Sequence, residues 1–244
     1  MVAGSDTALV VGVGASLGLG AASARRFARE GLHVVVAGRT EEKVRRVADE
    51  IRAAGGSAEA VVGDAAVEQD AIRFVETASA KGPLALVLQN SGSNRRDPFI
   101  ELKASDFQAI WREHCLAGFL VGRETAKHML ARGSGTILFT GATGSLRGSA
   151  MFAAFAAAKA GLRAVAQSMA RELGPKGIHV AHVIIDGGIA GARLKTRMPD
   201  IEKERGPDGL LSIDAIAETY WQLHLQHRSA WTFEQDLRPW SEKF

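Results

Sequence analysis

A glycine-rich turn, Gly14-Ala15-Ser16-Leu17-Gly18-Leu19-Gly20, follows an apolar run and opens an amphipathic helical pattern. Glycines lacking Cβ let a backbone approach a ligand closely. The N-terminus of the following helix adds free N–H groups and a positive dipole end. That chemistry suits a pyrophosphate, and the strand–turn–helix context gives the glycines their meaning. The second apolar run ends Ala37-Gly38-Arg39. A carboxylate there would accept hydrogen bonds from both ribose hydroxyls of NAD(H). None is present, and the Arg39 guanidinium is suited to a 2′-phosphate. The expected cofactor is NADP(H) in preference to NAD(H). Other groups fit for proton or oxygen chemistry are His114, the hydroxyls of Thr140 and Thr143, Lys159, and Tyr220, the only tyrosine. No metal is expected.

Positioning these residues requires a parallel sheet. Apolar runs at 8–13, 32–37, 58–62, 84–88, 136–139 and 178–185, with a weak seventh at 230–233, alternate with helical patterns. The patterns cover 19–30, 41–54, 67–81, 105–132, 149–173 and 214–226. Continuous apolar runs point to strands buried on both faces. The alternation predicts an α/β fold, a three-layer, doubly wound parallel sheet (Rossmann fold) of about seven strands. One domain spans residues 1–244. The irregular stretch at about 187–210 follows the sixth strand and overhangs the carboxyl edge of the sheet, as a substrate lid or a plain surface loop.

Several motifs in order resemble the short-chain dehydrogenase/reductase family. The glycine spacing is the family's G-x-x-x-G-x-G, although Val13 replaces its usual threonine and Leu17 sits where NADP-binding members often carry a basic residue. By resemblance, Gly14, Ser16, Leu17, Gly18 and Leu19 face the pyrophosphate. Asp64 and Ala65 face the adenine. Asn90, Ser91 and Gly92 match the family's Asn-Asn-Ala-Gly after the fourth strand.

The resemblance implies a reductase site of tyrosine, lysine, serine and asparagine. The segment Phe155-Ala156-Ala157-Ala158-Lys159 matches the tyrosine–lysine helix, with Lys159 kept and Phe155 at the tyrosine position. Ala142, thirteen residues earlier, takes the serine position. His114 takes the asparagine position, or Cys115 does if the alignment shifts by one. Ile185-Asp186-Gly187 replaces the family's Pro-Gly. Losing a positioned general acid costs roughly 10²–10⁴ in rate. The implied function is therefore an NADP(H)-dependent oxidoreductase of a carbonyl or activated alkene with a substitute proton donor. His114 is the candidate donor, and the retained Lys159 is either catalytic or kept only to hold the cofactor ribose. The alternative is a non-catalytic NADP(H)-binding protein acting as sensor or oligomer partner.

The composition excludes other classes. Of 244 residues 46% are hydrophobic and 23% charged, with a net charge of +3. The basic stretch at 39–46 is interrupted by Glu41 and Glu42, as on a solvated helix face, so no nucleic-acid partner is expected. No membrane span or signal peptide is expected either. A single cysteine, Cys115, suits a reducing cytoplasm. The family resemblance implies a small-molecule substrate and a homodimer or homotetramer built on the two long helices. The segment 231–244, with Trp231, Phe233, Trp240 and Phe244, packs either across a second interface or within the chain.

Overall fold

A computed structural model describes residues 6–243. Seven strands form one sheet in the order β3-β2-β1-β4-β5-β6-β7, with every neighbouring pair parallel. They are β1 (Thr7–Val11), β2 (His33–Gly38), β3 (Ser57–Val62), β4 (Leu84–Gln89), β5 (Gly135–Thr140), β6 (Ile178–Ile185) and β7 (Glu234–Leu237). Each strand pleat sends alternate side chains to opposite faces. Ala8, Val10, Val34 and Val36 join one core with α1 (Leu19–Arg29), α2 (Glu41–Ala53) and α9 (Ile213–Leu225). Leu9, Val11, Val35 and Ala37 join the other with α3 (Glu68–Ser79), α5 (Ala117–Arg132) and α6 (Ala153–Leu173). Both faces are covered, so the strands read as unbroken apolar runs. The strand order reverses between β1 and β4, and this opens a crevice at the carboxyl edge.

The elements differ from the sequence reading in three places. The seventh strand lies at 234–237 rather than 230–233. Three of its four residues are polar, but it is an edge strand and the Glu234 carboxylate is satisfied from outside. Arg163 of α6 donates to both oxygens of Glu234 at 2.6 and 2.7 Å, and His182 Nδ1 of β6 donates at 2.9 Å. The apolar residues before it do other work. Trp231 stacks on His179 at 4.9 Å, and Phe233 packs against the core. The long helix expected at 105–132 is divided. A π turn, Arg112–Leu116, separates α4 (Ala104–Trp111) from α5. Helix α6 starts at Ala153, after a turn in which Met151 is left-handed at φ 69°.

The irregular stretch holds two short helices, α7 (Ala192–Arg197) and α8 (Ile201–Arg205). It is tied to the glycine turn by the Ala192 N–H, which donates to the Leu17 carbonyl at 2.8 Å. Trp240 is 81% exposed, while Phe244 lies outside the described residues. Among the described residues no helix is long and apolar enough to cross a membrane.

Candidate active site

Two adjoining cavities lie along the carboxyl edge. One, of about 570 Å³, runs from Gly12 and Gly14 past Arg39 to Asp64 and Ala65. The other, of about 540 Å³, is floored by Asn90, Thr140, Ala142 and Lys159 and roofed by the α7 segment. Ser91, Gly92, Ser93, Arg193 and Arg197 line both.

Most of the residues singled out from the sequence converge here. Gly14, Gly18, Leu19, Asn90, Ser91, Gly92, His114, Phe155 and Lys159 line the second cavity. Arg39, Asp64 and Ala65 line the first. Ser16 and Leu17 are not brought in. The Ser16 hydroxyl donates to Glu50 at 2.6 Å, and Leu17 is 64% exposed and lines neither cavity. Sequence reasoning missed Gly12, Glu113, Arg193 and Arg197. Gly12 had a signal, as a glycine directly after a buried strand. Its φ is 92°, and a Cβ there would meet the Ser91 amide nitrogen at 2.5 Å. Only glycine lets β1 and β4 end side by side there.

The residues fit a dinucleotide. A Cβ added to Gly14 would meet nothing within 4 Å, so the turn presents bare backbone to open space. Among the described residues, the Lys159 ammonium, with three donors, has one protein acceptor, the Thr140 carbonyl at 2.7 Å, and the buried His114 Nδ1 has no partner. Lys159 lines the cavity and retains hydrogen-bonding capacity there.

Four groups could move a proton near Lys159, and three are committed elsewhere. Tyr220 is fully buried. Thr140 Oγ1 donates to Asn90 Oδ1 at 3.0 Å, so the Tyr220 hydroxyl donates to Thr140 at 2.8 Å. Burial also raises its pKa above the usual phenol value. The only tyrosine is thus a core strut. The Thr143 hydroxyl donates to Asp186 at 2.5 Å and cannot also donate to a substrate oxygen. Asp186, in place of the expected proline, is a buried acceptor flanked by Arg147 and Arg238 at 3.8 and 3.5 Å.

His114 is neutral. Burial foremost, then the charge of Lys159, pushes its pKa down to about 3. Its Nε2 faces the Ser93 carbonyl at 3.0 Å and therefore carries the proton. The imidazolium considered from its unperturbed pKa does not form near neutrality, so His114 offers no acid of the usual kind. Its ring fits because position 92 is glycine; a Cβ there would lie 2.1 Å from the ring. Cys115, the alternative for that position, instead abuts Gly161 of α6, where an added Cβ would lie 2.9 Å from its sulfur.

Lys159 remains. It is buried, and loss of hydration alone lowers its pKa to about 7. Its Nζ lies 5.9 Å from the centre of the Phe155 ring, whose edge also meets His114. The site thus holds an ammonium close to its own titration point beside an aromatic face that cannot ionise.

A seven-stranded parallel sheet with a glycine turn at its switch point defines a dinucleotide-binding α/β protein. Comparison narrows the class. The short chain dehydrogenase family model matches residues 7–200. A short-chain reductase protein, NovJ, from Streptomyces niveus is 30% identical over 205 residues, covering 84% of this chain and 76% of that protein. The crystal structure of a short-chain dehydrogenase from Rhodopseudomonas palustris is 45% identical, with a TM-score of 0.82, covering 96% of this chain and 99% of that one. A metagenomic short-chain oxidoreductase solved in complex with NADP is 28% identical, with a TM-score of 0.81 and coverage of 97% and 98%. The chain belongs to the short-chain dehydrogenase/reductase family, a family of nicotinamide-dependent oxidoreductases.

Proposed function

We propose that this chain is an NADP(H)-dependent oxidoreductase of a small carbonyl compound or activated alkene, in which Lys159 handles the proton. The observation that carries this reading is the buried Lys159 ammonium, held by a single carbonyl and open to the cavity. When bound, the nicotinamide supplies the hydride. Gly14, Gly18 and Leu19 would hold the pyrophosphate with backbone groups, Arg39 the 2′-phosphate, and Asp64 and Ala65 the adenine edge. Asn90, Ser91 and Gly92 would border the ribose, to which Lys159 would donate one N–H. Another Lys159 N–H faces the substrate oxygen, or the carbon that gains the proton. Phe155, Phe152 and Leu194 give the cavity apolar walls, which exclude water and hold the substrate body. His114 contributes a neutral wall and no charge.

Stopped-flow oxidation of NADPH across a carbonyl and enone panel tests this. Turnover is expected to decline as pH rises through about 7, where Lys159 loses its proton. The replacement of tyrosine and serine by Phe155 and Ala142 favours a second reading, a protein that binds NADP(H) without turnover. Tight binding with no oxidation of any compound would select it.

The remaining readings follow the family. The segment at about 187–210 is a substrate lid on a single domain. Exposed apolar residues on the long helices, Phe107, Trp111 and Phe119, form the contact of a homodimer or homotetramer. The one cysteine is free and buried, which suits the cytoplasm.

A further inference from the structure

The adenosine end of the crevice contains an ion pair with no part in hydride chemistry. Arg39 Nη1 donates to Glu113 Oε1 at 2.9 Å, linking the tip of β2 to the π turn. Ser93 Oγ donates to the other carboxylate oxygen at 3.0 Å. Both charged residues line the cavity that ends at Asp64 and Ala65. The pair therefore joins two walls of the space an adenosine moiety would enter. The π turn explains how Glu113 comes to be there. Its extra residue turns neighbouring side chains in different directions, Glu113 into this cavity and His114 into the next.

We propose that Glu113 is a specificity-determining counter-charge. It occupies the Arg39 guanidinium, must release it to a 2′-phosphate, and so weakens binding of 2′-phosphorylated dinucleotides relative to unphosphorylated ones. The proposal rests on the reading of Arg39 as the 2′-phosphate ligand. The Glu113 side chain is 22% exposed against 59% for Arg39. Glu113 is also tied down by Ser93, so the arginine is the partner free to swing away. The carboxylate then stays behind, close to a phosphate of like charge. An ion pair this exposed is weak, and like charges a few ångströms apart near the surface repel modestly. Together these place the effect at about three- to tenfold in affinity.

The test is calorimetric titration of the full chain with adenosine 2′,5′-bisphosphate and with 5′-AMP. It compares wild type, Glu113→Gln, Arg39→Ala and the double variant, each checked for folding by circular dichroism. The expected result is a three- to tenfold gain for the bisphosphate in Glu113→Gln, no change for 5′-AMP, and a smaller gain, from relieved repulsion alone, when Arg39 is already absent. Three results would overturn the proposal: unchanged or weaker bisphosphate binding in Glu113→Gln, a gain shared equally by 5′-AMP, or a gain that is undiminished in the Arg39→Ala background. The underlying reading fails separately, if Arg39→Ala leaves the preference for the bisphosphate intact.

Discussion

Lys159 and Phe155 stand four residues apart on one helix, and that spacing made both roles countable from the sequence. The fate of the other polar groups was not legible, because it depends on partners remote in the chain. Thr140 meets Tyr220 across 80 residues and Thr143 meets Asp186 across 43. The neutrality of His114 is likewise a product of burial. Two outcomes are expected at this scale. Phe155→Tyr puts a phenol beside an ammonium and should raise NADPH-dependent carbonyl reduction at least about tenfold, toward the 10²–10⁴ range of a positioned acid. Single-turnover kinetics measures it. Lys159→Met should abolish turnover and still leave a more stable protein, as replacing a buried charge by an apolar residue often does. The folded pKa of Lys159 lies below its unfolded value, so between about pH 7 and 10.5 the unfolded chain binds more protons and wild-type stability rises with pH. The advantage of the methionine variant is therefore largest at or below pH 7 and fades toward pH 10.5. Urea denaturation at several pH values reads the trend.

At the scale of elements, six strands were legible because burial on both faces leaves an unbroken apolar run. The seventh was not. Glu234-Gln235-Asp236-Leu237 has the composition of a loop and becomes a strand only by pairing with β6 and by the grip of Arg163 and His182 on Glu234. The apolar residues just before it drew the assignment four positions early. The π turn has no sequence signature either, yet it aims Glu113 and His114 into different cavities. Glu234→Ala removes three hydrogen bonds and leaves Arg163 and His182 without their acceptor. A loss of about 2 kcal/mol is expected, with β7 amides exchanging first in hydrogen-exchange measurements.

For the whole molecule, the histidines set the acid limit. Burial lowers the pKa of His114 to about 3 and of His182 to about 4, the latter against an opposing pull from Glu234. His179 and His224 are also lowered, again by burial first. Each binds a proton in the unfolded chain before it does in the fold. The histidines' contribution to stability is thus full above about pH 6.5 and is lost as pH falls toward 4. Each histidine steepens that loss by up to about 1.4 kcal/mol per pH unit. Denaturation midpoints at pH 7, 6 and 5 should fall progressively, and a flat profile would contradict the buried, neutral state of these rings. The central claim concerns the crevice as a whole, that NADP(H) lies along the strand tips with its extra phosphate on Arg39. Calorimetric titration with NADPH and NADH tests it most directly. The account predicts saturable binding of both, tighter for NADPH, with that margin gone in Arg39→Ala. No heat of binding from either dinucleotide at millimolar concentration would contradict it.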